Sequence, residues 1–129
     1  MTEPTASSQI VIDSSGWLEY ITADTKADLV VPYFKKQEPL LVPTIVIYEV
    51  RKILLLRATR TVADWFVSEI VRHRVLAIDQ QIALQASVLS ADHQLHMADA
   101  LIYATARDQN AELITTDTHF KNLPGVTIL

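Results

Sequence analysis

Short β-branched and aliphatic runs of three or four residues recur along this chain, and each gives way to a longer segment patterned like a helix. That alternation restricts the fold more than any other feature. Strands separated by helices cannot pair as hairpins, so they form a parallel sheet that needs helices over both faces. Ile10-Val11-Ile12 opens the series and stops at Asp13-Ser14-Ser15-Gly16, as expected of a buried strand running into a helix start. Leu40-Leu41-Val42, Val75-Leu76-Ala77-Ile78, Leu113-Ile114-Thr115-Thr116 and Val126 to Leu129 are the other expected strands. The expected fold is α/β, a three-layer α/β/α sandwich with a mainly parallel central sheet.

The segments between the strands carry their own signals. Trp17, Leu18 and Ile21 mark a short first helix, and a second is expected between Asp24 and Lys36, with Pro32 set against its continuity. Pro43-Thr44 offers a turn and an N-cap hydroxyl before a helix to about Leu56, whose stripe is taken as Ile45, Glu49, Lys52 and Leu56. Val62, Phe66 and Ile70 give the next stripe. Asp79 caps a helix with Ile82, Ala83, Ala86 and Leu89 inward, followed by a polar connection from Ser90 to His96. Met97 to Gln109 has no helix breaker, and Asn110 stands where a left-handed cap is required. A short turn of helix is expected around His119-Phe120.

At 129 residues the chain suits one domain, expected over residues 9–129, with residues 1–8 as a flexible tail. The absence of Cys excludes disulfide scaffolds, zinc ribbons, iron–sulfur clusters and thiol catalysis, and permits a cytoplasmic location. The N-terminus lacks the pattern of a secretory signal, and no apolar run approaches the ~20 residues of a membrane span. A formal charge of −4 argues against a generic nucleic-acid coating protein. It does not exclude a local basic stripe beside an acidic pocket.

Four carboxylates stand out. Asp13 and Asp117 follow strands directly, and the carboxyl ends of strands in open parallel sheets are where ligands gather. Glu49 and Asp99 interrupt the most apolar helices, within Ile47-Tyr48-Glu49-Val50 and Met97-Ala98-Asp99-Ala100-Leu101. Carboxylates about 4 Å apart repel by roughly 4 kcal/mol at an effective dielectric near 20, a cost that cations or protonation relieve. Oxygen ligation without Cys selects hard divalent ions, Mg2+ or Mn2+, whose best-supported chemistry is attack of an activated water on a phosphodiester. Taken singly, each acid has a plainer role: Asp13 and Asp117 as helix caps, Glu49 and Asp99 as solvent-facing charges.

The order of these acids and the strings around them resemble the PIN-domain ribonucleases, and among them the VapC-type toxins of bacterial toxin–antitoxin pairs. The likeness runs from Ile10 to Leu129. It rests on Val11-Ile12-Asp13-Ser14-Ser15-Gly16-Trp17, on Val42-Pro43-Thr44 through Tyr48-Glu49-Val50, on Ala98-Asp99-Ala100-Leu101-Ile102-Tyr103-Ala104-Thr105-Ala106, and on Thr115-Thr116-Asp117 with Phe120. The resemblance implies a PIN-like domain, an endoribonuclease toxin, and Asp13, Glu49, Asp99 and Asp117 as a catalytic quartet that binds Mg2+ or Mn2+. It also implies an RNA substrate, a small cognate antitoxin protein and a homodimer. Many PIN domains carry a further carboxylate just beyond the fourth acid, where this chain has Thr118-His119.

Ser14 and Thr116 adjoin quartet members and are candidates to position water or a carboxylate. Arg51, Lys52, Arg57 and Arg60 form a basic stripe that suits RNA phosphates, an antitoxin, or plain solvation. His93 and His96 are spaced for a metal but read more simply as exposed residues, and Trp17, Tyr20 and Tyr33 suit base stacking or a partner helix. A receiver domain would want adjacent acids after the first strand and a Lys near the last strands, and a haloacid-type phosphatase would want an acid at Ser15. The remaining alternative is a catalytically silent PIN-like module for RNA binding or scaffolding.

Overall fold

A computed structural model of the chain describes residues 9–36 and 38–129, so the expected tail at 1–8 lies outside the described residues. Five strands form one sheet: β1 (Ile10–Ile12), β2 (Leu41–Pro43), β3 (Arg74–Leu76), β4 (Glu112–Thr115) and β5 (Val126–Ile128). The helices are α1 (Ser14–Thr22), α2 (Ala27–Phe34), α3 (Thr44–Arg57), α4 (Arg60–Ile70), α5 (Gln80–His93) and α6 (Met97–Asp108), and a 3-10 turn spans Thr118–Phe120. Every pairing is parallel, in the order β3-β2-β1-β4-β5. The expected α/β/α sandwich is therefore the fold, and no described helix is long and apolar enough to cross a membrane.

The strand order matters for function. The chain builds outward from β1 to β2 and β3, then returns to place β4 on the other side of β1. Neighbouring connections thus leave β1 and β4 in opposite directions, the switch point at which open α/β sheets hold ligands. Ile12 is in register with Ile114, and the Asp13 N–H donates to the Ile114 carbonyl at 3.1 Å. The two strands consequently end side by side, with Asp13 at the seam.

The core consists of the strand side chains and the inward faces of the helices, with Trp17, Phe66 and Phe120 its largest fully buried members. Trp17 is therefore not a surface aromatic as its polar neighbours suggest. It packs edge-on against Phe34, Phe66 and His73 beneath α2 and α4, while Tyr20 stacks on Phe34 at 4.0 Å. In α3 the buried stripe is Val46, Val50 and Leu54, correcting the expected one. Lys52 and Leu56 of that expected stripe are exposed. Apolar residues surround almost this whole helix, so spacing alone fits several faces equally well.

Other differences are local. Pro43 ends β2 and is itself the cap position of α3, with φ −62°, so strand passes into helix without the expected turn or Thr44 hydroxyl cap. α5 runs on to His93 through much of the expected connection, and its Ala83 is exposed. β3 begins at Arg74 because that residue pairs with Leu41, and its side chains lie largely exposed at the sheet edge. Asn110 adopts φ 52° just past α6, as its place in the sequence requires.

Candidate functional site

Asp13 is both cap and candidate ligand. It follows β1 with extended backbone, and its Oδ1 accepts from the Gly16 N–H at 3.0 Å, starting α1. Ser15 Oγ donates to the same oxygen at 2.7 Å, and Thr115 Oγ1 donates to Oδ2 at 2.6 Å. Asp13 as a residue is only 3% exposed. Burial, the largest influence, pushes it up to about 6, with the charge of Asp99 adding to the rise. The three hydrogen bonds from Thr115, Gly16 and Ser15 pull the other way and do not prevail, because desolvation of a buried carboxylate outweighs them.

Glu49 reaches the same region from α3, where Ser14 Oγ donates to its Oε1 at 2.6 Å. Asp99 lies in the first turn of α6, whose N-terminal dipole favours negative charge. Its carboxyl is raised first by burial and then by the charges of Asp117 and Glu49, with His119 and His96 opposing. Asp99 thus interacts with all three other acids, being also felt at Asp13. Asp117 follows β4 and caps the 3-10 turn by accepting from the His119 N–H at 2.9 Å. Its own N–H donates to Thr115 Oγ1 at 2.9 Å, so one buried threonine ties two acids together.

The charges of Asp117 and Glu49 thus bear on Asp99, and that of Asp99 on Asp13, although Asp13 and Glu49 are not in the group of donors that come within bridging distance of one another. Among the described residues no lysine or arginine pairs with any of them. Donor atoms of Asp99, Asp117 and His119 all lie within 4.8 Å of one another, a spacing that a divalent cation can bridge. The capping roles of Asp13 and Asp117 and a role in the cluster prove compatible, since a cap uses only one carboxylate oxygen.

Ser14 contacts Glu49 directly, whereas Thr116 works one step removed: its Oγ1 donates to Ser15 Oγ at 2.9 Å, and Ser15 in turn holds Asp13. Thr115, Ser15 and His119 are the participants that sequence reasoning passes over. Thr115 reads as an ordinary strand residue, and only its burial at the end of β4 reveals the paired hydrogen bonds. The imidazole that matters beside His96 is not His93 but His119, whose ring meets His96 edge-on at 5.8 Å. His119 Nδ1 lies 2.8 Å from Asp117 Oδ1, and that hydrogen bond is the main reason its pKa rises.

The basic stripe divides. Arg51 forms an ion pair with Asp64 of α4 at 2.9 Å, and the Lys52 ammonium sits 5.3 Å from the Tyr48 ring centroid. Arg57 and Arg60 are exposed. Beside them α3 shows water Tyr48, Leu55 and Leu56, an apolar strip on the surface.

Comparison with known proteins agrees with this architecture. The PIN domain family model matches residues 10–126. A toxin–antitoxin complex from Klebsiella pneumoniae contains a similar chain at 22% identity and TM-score 0.79, over 92% of this chain and 95% of that one. VapC20 of Mycobacterium tuberculosis, described as a sarcin-ricin loop cleaving toxin, is 18% identical with TM-score 0.72, over 83% and 87%. A DNA-bound VapBC complex from Salmonella typhimurium gives 16% identity and TM-score 0.74, over 94% and 96%. No curated protein matches the chain in sequence.

Proposed function

The chain belongs to the PIN domain family, and on that basis we propose that it is a metal-dependent endoribonuclease toxin of a toxin–antitoxin pair. Asp13, Glu49, Asp99 and Asp117 are its metal-holding acids. The observation that supports this reading is the meeting of Asp99, Asp117 and His119 donor atoms within 4.8 Å of one another, with the charges of Asp117 and Glu49 bearing on Asp99 and that of Asp99 on Asp13 at the end of β1. Among the described residues no lysine or arginine pairs with these acids, and the histidines His119 and His96 oppose the repulsion at Asp99 without overcoming it. A carboxylate donor set of this kind fits a hard divalent ion, Mg2+ or Mn2+.

When bound, such an ion supplies a water activated for attack on phosphorus and charge to stabilise the leaving oxygen. The chain's own residues hold the donors still. Ser14 fixes Glu49, while Ser15, Thr115 and the Gly16 amide fix both oxygens of Asp13. Thr116 orients Ser15. Asp117 is held separately, by its N–H to Thr115 Oγ1 and by the turn it caps, so that these donors need little rearrangement to receive a cation.

The toxin–antitoxin context of the structural neighbours supports a small antitoxin as the cognate partner, and a homodimer as the toxin unit accompanies that reading. The exposed strip at Tyr48, Leu55 and Leu56 with Arg57 beside it suits such contacts. The deciding experiment uses purified chain free of antitoxin and a mixture of cellular RNA. Cleavage is expected with Mg2+ or Mn2+, abolished by EDTA and by Asp99→Asn, with circular dichroism of the variant unchanged. Cleavage undiminished in chelator would reject the metal mechanism. A wild-type chain that binds RNA but never cuts it would favour the silent module.

A further inference from the structure

We infer that His119 contributes a nitrogen donor to the cation held by Asp99 and Asp117, so that the centre favours Mn2+ and other imidazole-accepting divalent ions over Mg2+. The inference rests on the acidic cluster being a metal site, as proposed above, and names which ion that site prefers. Donor atoms of the three residues already lie within 4.8 Å of one another. Two ligands at right angles on an ion, each about 2.1 Å away, stand about 3.0 Å apart, and opposite ligands about 4.2 Å apart. The 2.8 Å between Asp117 Oδ1 and His119 Nδ1 is therefore close to the edge of an octahedron, and the cation would take the place of the Nδ1 proton now shared with Asp117, which is released to solvent.

The imidazole is also held in place, although its side chain is 64% exposed. Asp117 caps the 3-10 turn through the His119 N–H, and the ring lies edge-on to His96. Packing does not account for an imidazole here, because the core residue of that turn is Phe120 and not His119. Mg2+ is a small hard ion that keeps oxygen ligands, whereas imidazole nitrogen suits the first-row transition ions, with affinity rising from Mn2+ towards Zn2+. Replacing an oxygen donor by His119 thus penalises Mg2+ relative to Mn2+.

The test is calorimetric titration of the untagged full chain with MnCl2 and separately with MgCl2 at pH 7.5, for wild type, His119→Ala, His119→Asn and Asp99→Asn. Loss of the imidazole is expected to weaken Mn2+ binding about tenfold or more and Mg2+ binding less than about threefold, with folding verified by circular dichroism. Electron spin echo modulation from 14N should be present on Mn2+ bound to wild type and absent in His119→Ala. An equal loss for both ions, or modulation identical in the two proteins, overturns the inference while Asp99→Asn still abolishing binding preserves the metal site. If Asp99→Asn binds both ions as wild type does, the metal site itself is refuted and the inference falls with it.

Discussion

Removing the charge of Asp13 should stabilise the metal-free protein at neutral pH and not at acid pH. Burial lifts this carboxyl from its ordinary 3.8 to about 6. Between those values the folded chain holds a proton that the unfolded chain has released, so stability falls as pH rises through the interval. Above about pH 6 both states are ionised and the cost is constant. At about 1.36 kcal/mol per pH unit, the 2.2-unit difference between 3.8 and 6 amounts to roughly 3 kcal/mol. Asp13→Asn carries no such term. It does place an amide donor against Thr115 Oγ1, which presently donates to Asp13, and losing that hydrogen bond costs about 1 kcal/mol at every pH. In EDTA the variant should therefore be about 0.5 kcal/mol less stable than wild type at pH 4, where the unfolded carboxyl is already half ionised, and about 2 kcal/mol more stable at pH 7. The second figure corresponds to a melting temperature roughly 8 °C higher for a domain of this size. Urea unfolding of both proteins across pH 4 to 7.5 measures the difference directly. A difference that stays flat, or that falls with pH, would refute the claim that desolvation outweighs the three hydrogen bonds at Asp13.

Thr115→Val preserves shape but leaves Asp13 Oδ2 and the Asp117 N–H without their shared partner; a loss of about 1–3 kcal/mol in urea unfolding is expected, with the Asp13 carboxyl titrating higher by carbon NMR. Gly16→Ala would put a methyl 2.5 Å from Ile12 Cγ2 at the strand-to-helix junction, and should lower stability by about 1–3 kcal/mol in the same assay. Because Arg51 is already paired with Asp64 and Lys52 lies beside Tyr48, the two exposed arginines carry what phosphate affinity the stripe has. Arg57→Ala with Arg60→Ala should flatten the salt dependence of RNA binding by about one to two units of slope, and an unchanged slope would assign that face to something other than RNA.

Much of this protein is determined by its linear pattern. Short, largely β-branched runs closing on an acid mark the two strands, β1 ending directly before Asp13 and β4 ending at Thr115, one residue earlier than the expected Thr116, and Asn110 announces a left-handed cap because few other residues tolerate one. An acid inside an apolar helix, as at Glu49 and Asp99, marks a position that demands solvent or a cation. What such patterns cannot carry is the placement of elements relative to one another. The order β3-β2-β1-β4-β5 sets Asp13 beside Thr115 across 102 residues of chain, and that seam depends on long-range packing. The buried face of α3 went to Val46, Val50 and Leu54 because α4 and the sheet cover that side; with apolar residues all round the helix, its sequence holds no preference strong enough to say so. Trp17 has polar neighbours in sequence, yet α2 and α4 close over it. Arg51 has no acid three or four residues away along its helix, yet α4 brings it Asp64. His119 likewise becomes a neighbour of Asp99 and His96 only once β4 lies beside β1 and α6 packs on β4, because side chains distant along the chain acquire shared chemistry through the fold alone.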